Sequence, residues 1–229
     1  MAIIKARAAI GRVFYQRCFY LFVVLLVLVG GVPFIEPTSS GRLMVNIVGI
    51  SVVIAAVAAV GRTALSFVVV LLLAGPAAAV HWLVYTTGAT QWTVLSWGLS
   101  AALYAMTLVY LLHYVFRREV MTDDRLFGAA AAYLLIGVLW SYLFALVGHV
   151  YPGSFSVLGS PVSPEGYEYL YFSFTVLTST GFGDIVPLLR QARSLCVVEQ
   201  LTGTLFLAIL IARLVGVFPP VAGSAKGKQ

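Results

Sequence analysis

Charge is what this sequence has least of. Only 10% of its 229 residues are Asp, Glu, Lys or Arg, while 61% are hydrophobic. A soluble domain carries about 25% charged and about 45–50% apolar residues. With a mean hydropathy of +1.01, the chain is excluded from the soluble enzymes, the nucleic-acid-binding domains and the disordered proteins. Its net charge of +6 is dispersed and forms no basic stripe, so no nucleic-acid partner is expected. Cysteine is scarce too. Cys18 and Cys196 both lie in apolar runs and read as small buried hydrophobes rather than a disulfide framework. His81, His113 and His149 are scattered. No H-E-x-x-H or G-x-S-x-G pattern occurs, so neither an enzyme nor an organic cofactor is expected. What remains is a protein solvated mainly by membrane lipid.

A spanning helix needs about 20 mostly apolar residues. Six stretches qualify, at 14–35, 43–60, 63–85, 92–116, 126–150 and 194–218. The third contains Gly75-Pro76 and is expected to bend there as one helix. The first is too long for a signal peptide and lacks an A-x-A cleavage pattern. Basic residues near span ends set orientation. Lys5, Arg7, Arg12, Arg17, Arg62, Arg117, Arg118, Arg125, Lys226 and Lys228 fall on one side, against Arg42, Arg190 and Arg193 on the other. Both termini are therefore expected in the cytoplasm, with 151–193 outside.

That external segment is too polar and broken to span, yet too apolar for an ordinary loop. Non-helical backbone at membrane depth is tolerated only where protein buries it or water lines it. Ser163-Pro164-Glu165 reads as a helix start. A helix from Pro164 to about Thr178 would be about 22 Å long at 1.5 Å per residue, which crosses only part of a bilayer. Thr178-Ser179-Thr180-Gly181-Phe182-Gly183-Asp184 follows. Alternating glycines let successive carbonyls point the same way, and stacked carbonyl rings can replace a cation's hydration shell.

The TSTGFGD run resembles the selectivity filter of the tetrameric potassium channel family, whose signature is close to T-T-V-G-Y-G-D. The resemblance extends over about 126–218. It implies an all-α membrane protein with six transmembrane helices, a re-entrant pore helix and filter between the last two, and assembly as a homotetramer. It also implies K⁺ as the permeant ion, held by the carbonyls of Ser179, Thr180, Gly181 and Phe182, with the Ser179 hydroxyl at the innermost site. Thr178 would end the pore helix, Gly183 would complete the filter, and Asp184 would anchor its outer mouth through Tyr171. Ser179, Thr180 and Phe182 depart from the usual Thr, Val and Tyr. Phe182 loses a bracing hydroxyl, so a softer filter is expected. Thr175 stands where some relatives carry a glutamate, so the carboxyl pair with the outer Asp is absent.

In the last span, Gly203 falls where the family often has a hinge glycine; close helix packing is the alternative role. Thr204, Leu207 and Ile211 share one stripe at helical spacing and would line the cavity and gate. Glu199, an acid inside a span, is expected either to tie the helix to the back of the filter or to sense protons. Arg213 is expected to reach the headgroups or to pair with Asp123 or Asp124. The fourth span carries no Arg or Lys before Arg117-Arg118, so voltage sensing, which needs such charges in the field, is not expected.

The expected layout is a cytoplasmic segment 1–13, a four-helix domain 14–116, a linker 117–125, a pore domain 126–218 and a cytoplasmic tail 219–229. No cytoplasmic ligand-binding domain is expected in that tail. The expected function is potassium conduction across a plasma membrane, in bacteria the inner membrane. A non-selective cation channel, or a transporter or membrane scaffold, is the alternative.

Overall fold

The computed structural model describes residues 17–35, 47–56, 64–88, 90–117 and 122–217. Four helices come first: α1 (Arg17–Gly31), α2 (Ile47–Ala56), α3 (Ala64–Thr87) and α4 (Thr93–Val115). The long α5 (Asp123–Val150) leads to a short strand β1 (Phe155–Val157) and then α6 (Tyr167–Leu177). Strand β2 (Ile185–Pro187) and helix α7 (Arg190–Val217) complete the described chain. Among the described residues, three helices are long and apolar enough to cross a membrane: Thr93–Val115, Asp123–Val150 and Arg190–Gly216. The protein is thus an all-α membrane protein. The expected spans at 14–35, 43–60 and 63–85 fall on α1, α2 and α3, with the flanks of all three partly outside the described residues. Helix α3 runs through Pro76 without interruption.

Helix α5 is the hub, and α4, α1, α6 and α7 all pack on it. Its sequence explains why. Buried Gly128, Ala129, Ala131, Ala132, Gly137, Ala145 and Gly148 give it a narrow profile. Between helices in lipid, small residues matter because close backbone approach replaces hydrophobic driving force. A Cβ at Gly137 would strike the Phe174 ring, and one at Gly148 the Tyr169 hydroxyl. Those two glycines let α6 lie against α5.

Helix α5 begins three residues before the expected Leu126, because Thr122 enters it in extended conformation and Asp123-Asp124 occupy its first turn. Acids there meet the positive end of the helix dipole. Asp124 does more. Its Oδ1 accepts from the Cys18 N–H at 3.0 Å, and its Oδ2 accepts from the Tyr114 hydroxyl at 2.7 Å. One carboxylate therefore receives the Cys18 amide of α1 and pins α4 beside it.

On the far side of α5, β1 and β2 form a two-stranded antiparallel sheet that pairs Phe155 with Pro187, Ser156 with Val186 and Val157 with Ile185. Leu158 N–H donates to the Asp184 carbonyl and Leu188 N–H to the Ser154 carbonyl, each at 2.7 Å. Alternation then puts Pro187 at a non-hydrogen-bonded position, where its missing N–H costs the ladder nothing.

Candidate functional site

The segment between α5 and α7 carries the site. Its helix starts later than the sequence suggests, which corrects the reading of Pro164 as first helical residue. Gly166 takes a positive φ of 43° and turns the chain, and α6 begins at Tyr167. Glu165 and Glu168 close the end reciprocally: Glu165 N–H donates to Glu168 Oε2, and Glu168 N–H to the Glu165 carbonyl, both at 2.8 Å. Eleven residues at 1.5 Å each make a helix of about 16 Å.

The other end of α6 is built from the turn that follows it. Thr178 N–H and hydroxyl both reach the Phe174 carbonyl, and Ser179 N–H reaches the Val176 carbonyl. The Thr175 carbonyl accepts from both Thr180 N–H at 2.9 Å and Gly181 N–H at 3.1 Å. The amides of 178–181 thus satisfy carbonyls that a helix end would otherwise leave unpaired. Thr178 and Thr180 hydroxyls also bond each other at 2.8 Å.

The carbonyls of the turn behave oppositely. Among the described residues, none of the carbonyl oxygens of 178–183 accepts a hydrogen bond. Residues 178–183 are exposed on the single chain. Ser179, Gly181 and Gly183 have φ of 58°, 54° and 83°. In a strand, successive carbonyls alternate sides; a left-handed residue at every second position cancels that alternation and swings them to one side. Glycine adopts this geometry at no steric cost. Ser179 adopts it at roughly 1–2 kcal/mol, which the Val176 hydrogen bond helps to hold.

Phe182 and Asp184 are seated by Tyr171. The Phe182 and Tyr171 rings stack nearly parallel, 6.2 Å between centroids and 6° between planes. The Tyr171 hydroxyl faces the Asp184 carboxylate, whose Oδ1 accepts from Ile185 N–H at 3.0 Å. Behind the turn an open groove of about 240 Å³ runs along α7, lined by Thr175, Ser179, Gly183, Cys196 and Gln200 among others.

Helix α7 meets α6 at two residues one turn apart. Glu199 is fully buried, and its Oε1 lies 2.5 Å from the Ser173 hydroxyl, which is also 2.7 Å from the Gly137 carbonyl. One hydroxyl therefore joins α5, α6 and α7, while Glu199 Oε2 has no partner among the described residues. Four residues on, Gly203 faces the Leu177 carbonyl so closely that a Cβ there would overlap its oxygen. The place of Gly203 is a close backbone contact at the very end of α6. Thr204, Leu207 and Ile211 are exposed and touch no such partner. Arg213 does not pair with Asp123 or Asp124. It donates to the Arg117 carbonyl and lies over the Phe116 ring, 5.3 Å away. Asp124 already serves Cys18 and Tyr114.

Sequence reading missed Ser173 and Gly137, and it missed β1. Their only local signals were a hydroxyl within an apolar helix and a short F-S-V run between Gly153 and Gly159.

The model of a family described as Ion channel matches residues 129–218. That stretch runs from the first turns of α5 to just beyond the end of α7, and it contains every site residue named above. No curated protein and no solved structure matches the chain. The match supports an ion channel, set in a membrane by its apolar helices.

Proposed function

We propose that this chain is one subunit of a homotetrameric, potassium-selective channel whose filter is residues 178–184. One observation carries this reading. Among the described residues, six consecutive carbonyls, 178–183, have no hydrogen-bond partner while left-handed residues alternate through them. Exposed and unpaired, they are free to take a partner, and a dehydrated cation is the partner that stacked carbonyls suit. A single chain supplies one rail of oxygens. Closing a cage around an axis takes further copies, and fourfold closure matches carbonyl-lined filters. The exposed apolar residues of α7, among them Leu201, Leu205, Leu207 and Ile211, suit contact with other copies and with lipid.

Thr204, Leu207 and Ile211 would line the cavity inside the filter, and an apolar ring there can gate by dewetting. Helix α4 has no Arg or Lys along Thr93–Val115, which supports gating by something other than voltage. The six-span count, cytoplasmic termini and bacterial inner-membrane location complete the reading. Phe182 favours one second reading, a less selective cation pore, because its ring stacks on Tyr171 without a hydroxyl to tie it down.

The test is flux from liposomes loaded with K⁺ or Na⁺. K⁺ efflux well above Na⁺ efflux, abolished in Gly181→Ala, is expected. Comparable efflux of both ions would select the non-selective pore, and equal flux through wild type and Gly181→Ala would end the channel reading.

A further inference from the structure

The filter's outer end is held by more than the aromatic residues behind it. The geometry points to the external strand pair β1–β2 as a positioning clamp that keeps the filter in its conducting form, with the backbone of Ser154 and Leu158 as its grips. This inference rests on the filter reading above.

The path of support can be followed residue by residue. Strand β1 is fixed to the protein body by Phe155, which is fully buried. Its ring meets Phe144 of α5 edge-on at 6.0 Å, and Tyr169 and Phe172 of α6 at 5.8 and 5.5 Å. Ser154, equally buried, folds its hydroxyl onto the Tyr151 carbonyl at 2.5 Å. From this anchored strand the ladder reaches across to the chain leaving the filter. Leu158 N–H holds the Asp184 carbonyl, and the Ser154 carbonyl holds Leu188 N–H, each at 2.7 Å. Asp184 is thus held on two sides: its carboxylate by the Ile185 N–H, with the Tyr171 hydroxyl facing it, and its backbone by β1.

The turn that ends β1 supports this role. Val157 and Ser160 exchange two backbone hydrogen bonds, at 2.9 and 3.0 Å, around Leu158 and Gly159. Both central residues have positive φ, 49° and 83°. This is a type I′ turn, which favours Asn-Gly. A leucine held in a left-handed conformation persists only when its surroundings over-determine it. Here the bond to Asp184 is among the surroundings that do so. Phe182 makes the clamp matter more, because its stack on Tyr171 has no hydroxyl bond to resist displacement of the filter.

Two perturbations of the full-length protein in planar bilayers test this. The first replaces the Leu158 amide by an ester, using leucic acid at that position, which deletes one N–H donor and keeps the side chain. The time for which K⁺ current persists after opening should shorten roughly two- to tenfold, the size of one net hydrogen bond. The K⁺-to-Na⁺ permeability ratio should fall with it, while the assembly state stays as in wild type and the melting temperature drops by no more than a few degrees. The second links the strands. Val157 and Ile185 face each other at a non-hydrogen-bonded pair, where Cα atoms lie about 4.5 Å apart, within disulfide range. In a Cys18→Ala, Cys196→Ala background, Val157→Cys with Ile185→Cys should prolong conduction when oxidised and return to the background when reduced.

A channel whose current lifetime and permeability ratio ignore both the ester and the disulfide would overturn the clamp and leave the filter reading standing. Equal flux through wild type and Gly181→Ala would overturn both.

Discussion

Gly203→Ala is a perturbation for which two roles of one residue predict opposite signs. As a hinge, Gly203 would only cost helix stability, and alanine would stabilise α7 by about 1 kcal/mol. As a packing glycine it must destabilise. The new Cβ would lie 2.9 Å from Leu177 Cδ1 and 3.3 Å from the Leu177 carbonyl carbon, and closer still to the carbonyl oxygen. A side-chain tip can rotate away, but a carbonyl at the end of α6 cannot. Overpacking costs about 1–3 kcal/mol, and a backbone obstacle puts this case at the upper end. The net loss after the propensity gain is then about 2 kcal/mol. Gly216 is the matched control, because a Cβ there meets nothing within 4 Å in the same helix. The assay is thermal unfolding in detergent with K⁺ flux measured in parallel. Gly203→Ala should melt several degrees below Gly216→Ala and conduct poorly, because relief of the overlap moves Leu177 and the Thr178 that follows it. Melting at or above the Gly216→Ala value with normal flux would refute the packing argument.

Other variants probe the same framework. Ser173→Ala removes the hydroxyl that joins Gly137 and Glu199 and leaves a buried carboxyl without that partner. A loss of about 1–3 kcal/mol is expected, read as a lowered melting temperature, with Glu199→Gln costing less because its amide still bonds Ser173. Phe155→Ala empties a fully buried ring site at a cost of about 3–5 kcal/mol. Hydrogen exchange at Asp184 to Leu188 should rise with it, and unchanged protection there would count against anchoring through β1. Leu207→Asp places a charge on the exposed stripe of α7 and should raise resting flux in liposomes, whereas resting flux unchanged from wild type would remove Leu207 from the gate.

What could be read from the chain alone was whatever depends on neighbours in sequence. Membrane residence follows from runs of apolar residues, and those runs gave α4, α5 and α7 to within a few residues. The turn after α6 was legible because Gly181 and Gly183 announce left-handed backbone by themselves, and the polar Thr-Ser-Thr before them marks the end of an apolar helix. Even there local signals misplaced the helix start. Ser163-Pro164-Glu165 satisfies every rule for an N-terminus, yet Gly166 breaks the chain direction and Glu168 folds back as the cap.

Tertiary structure decided the rest, for one physical reason: each undecided feature is a bond between residues far apart in sequence. Glu199 finds its partner 26 residues away and Ser173 its second one 36 away. Asp124 reaches back 106 residues to Cys18, and Arg213 reaches the Arg117 carbonyl 96 residues before it. Strand β1 is three residues long and has no pattern strong enough to be recognised until β2 lies beside it. The sequence by itself determined that this protein lives in a membrane and that the glycine-bearing turn at 178–184 can aim carbonyls in a single direction. Only the fold decided what holds that turn in place, because a carbonyl rail is a local conformation, whereas its supports come from α5, α6, α7 and an outer strand brought together by packing.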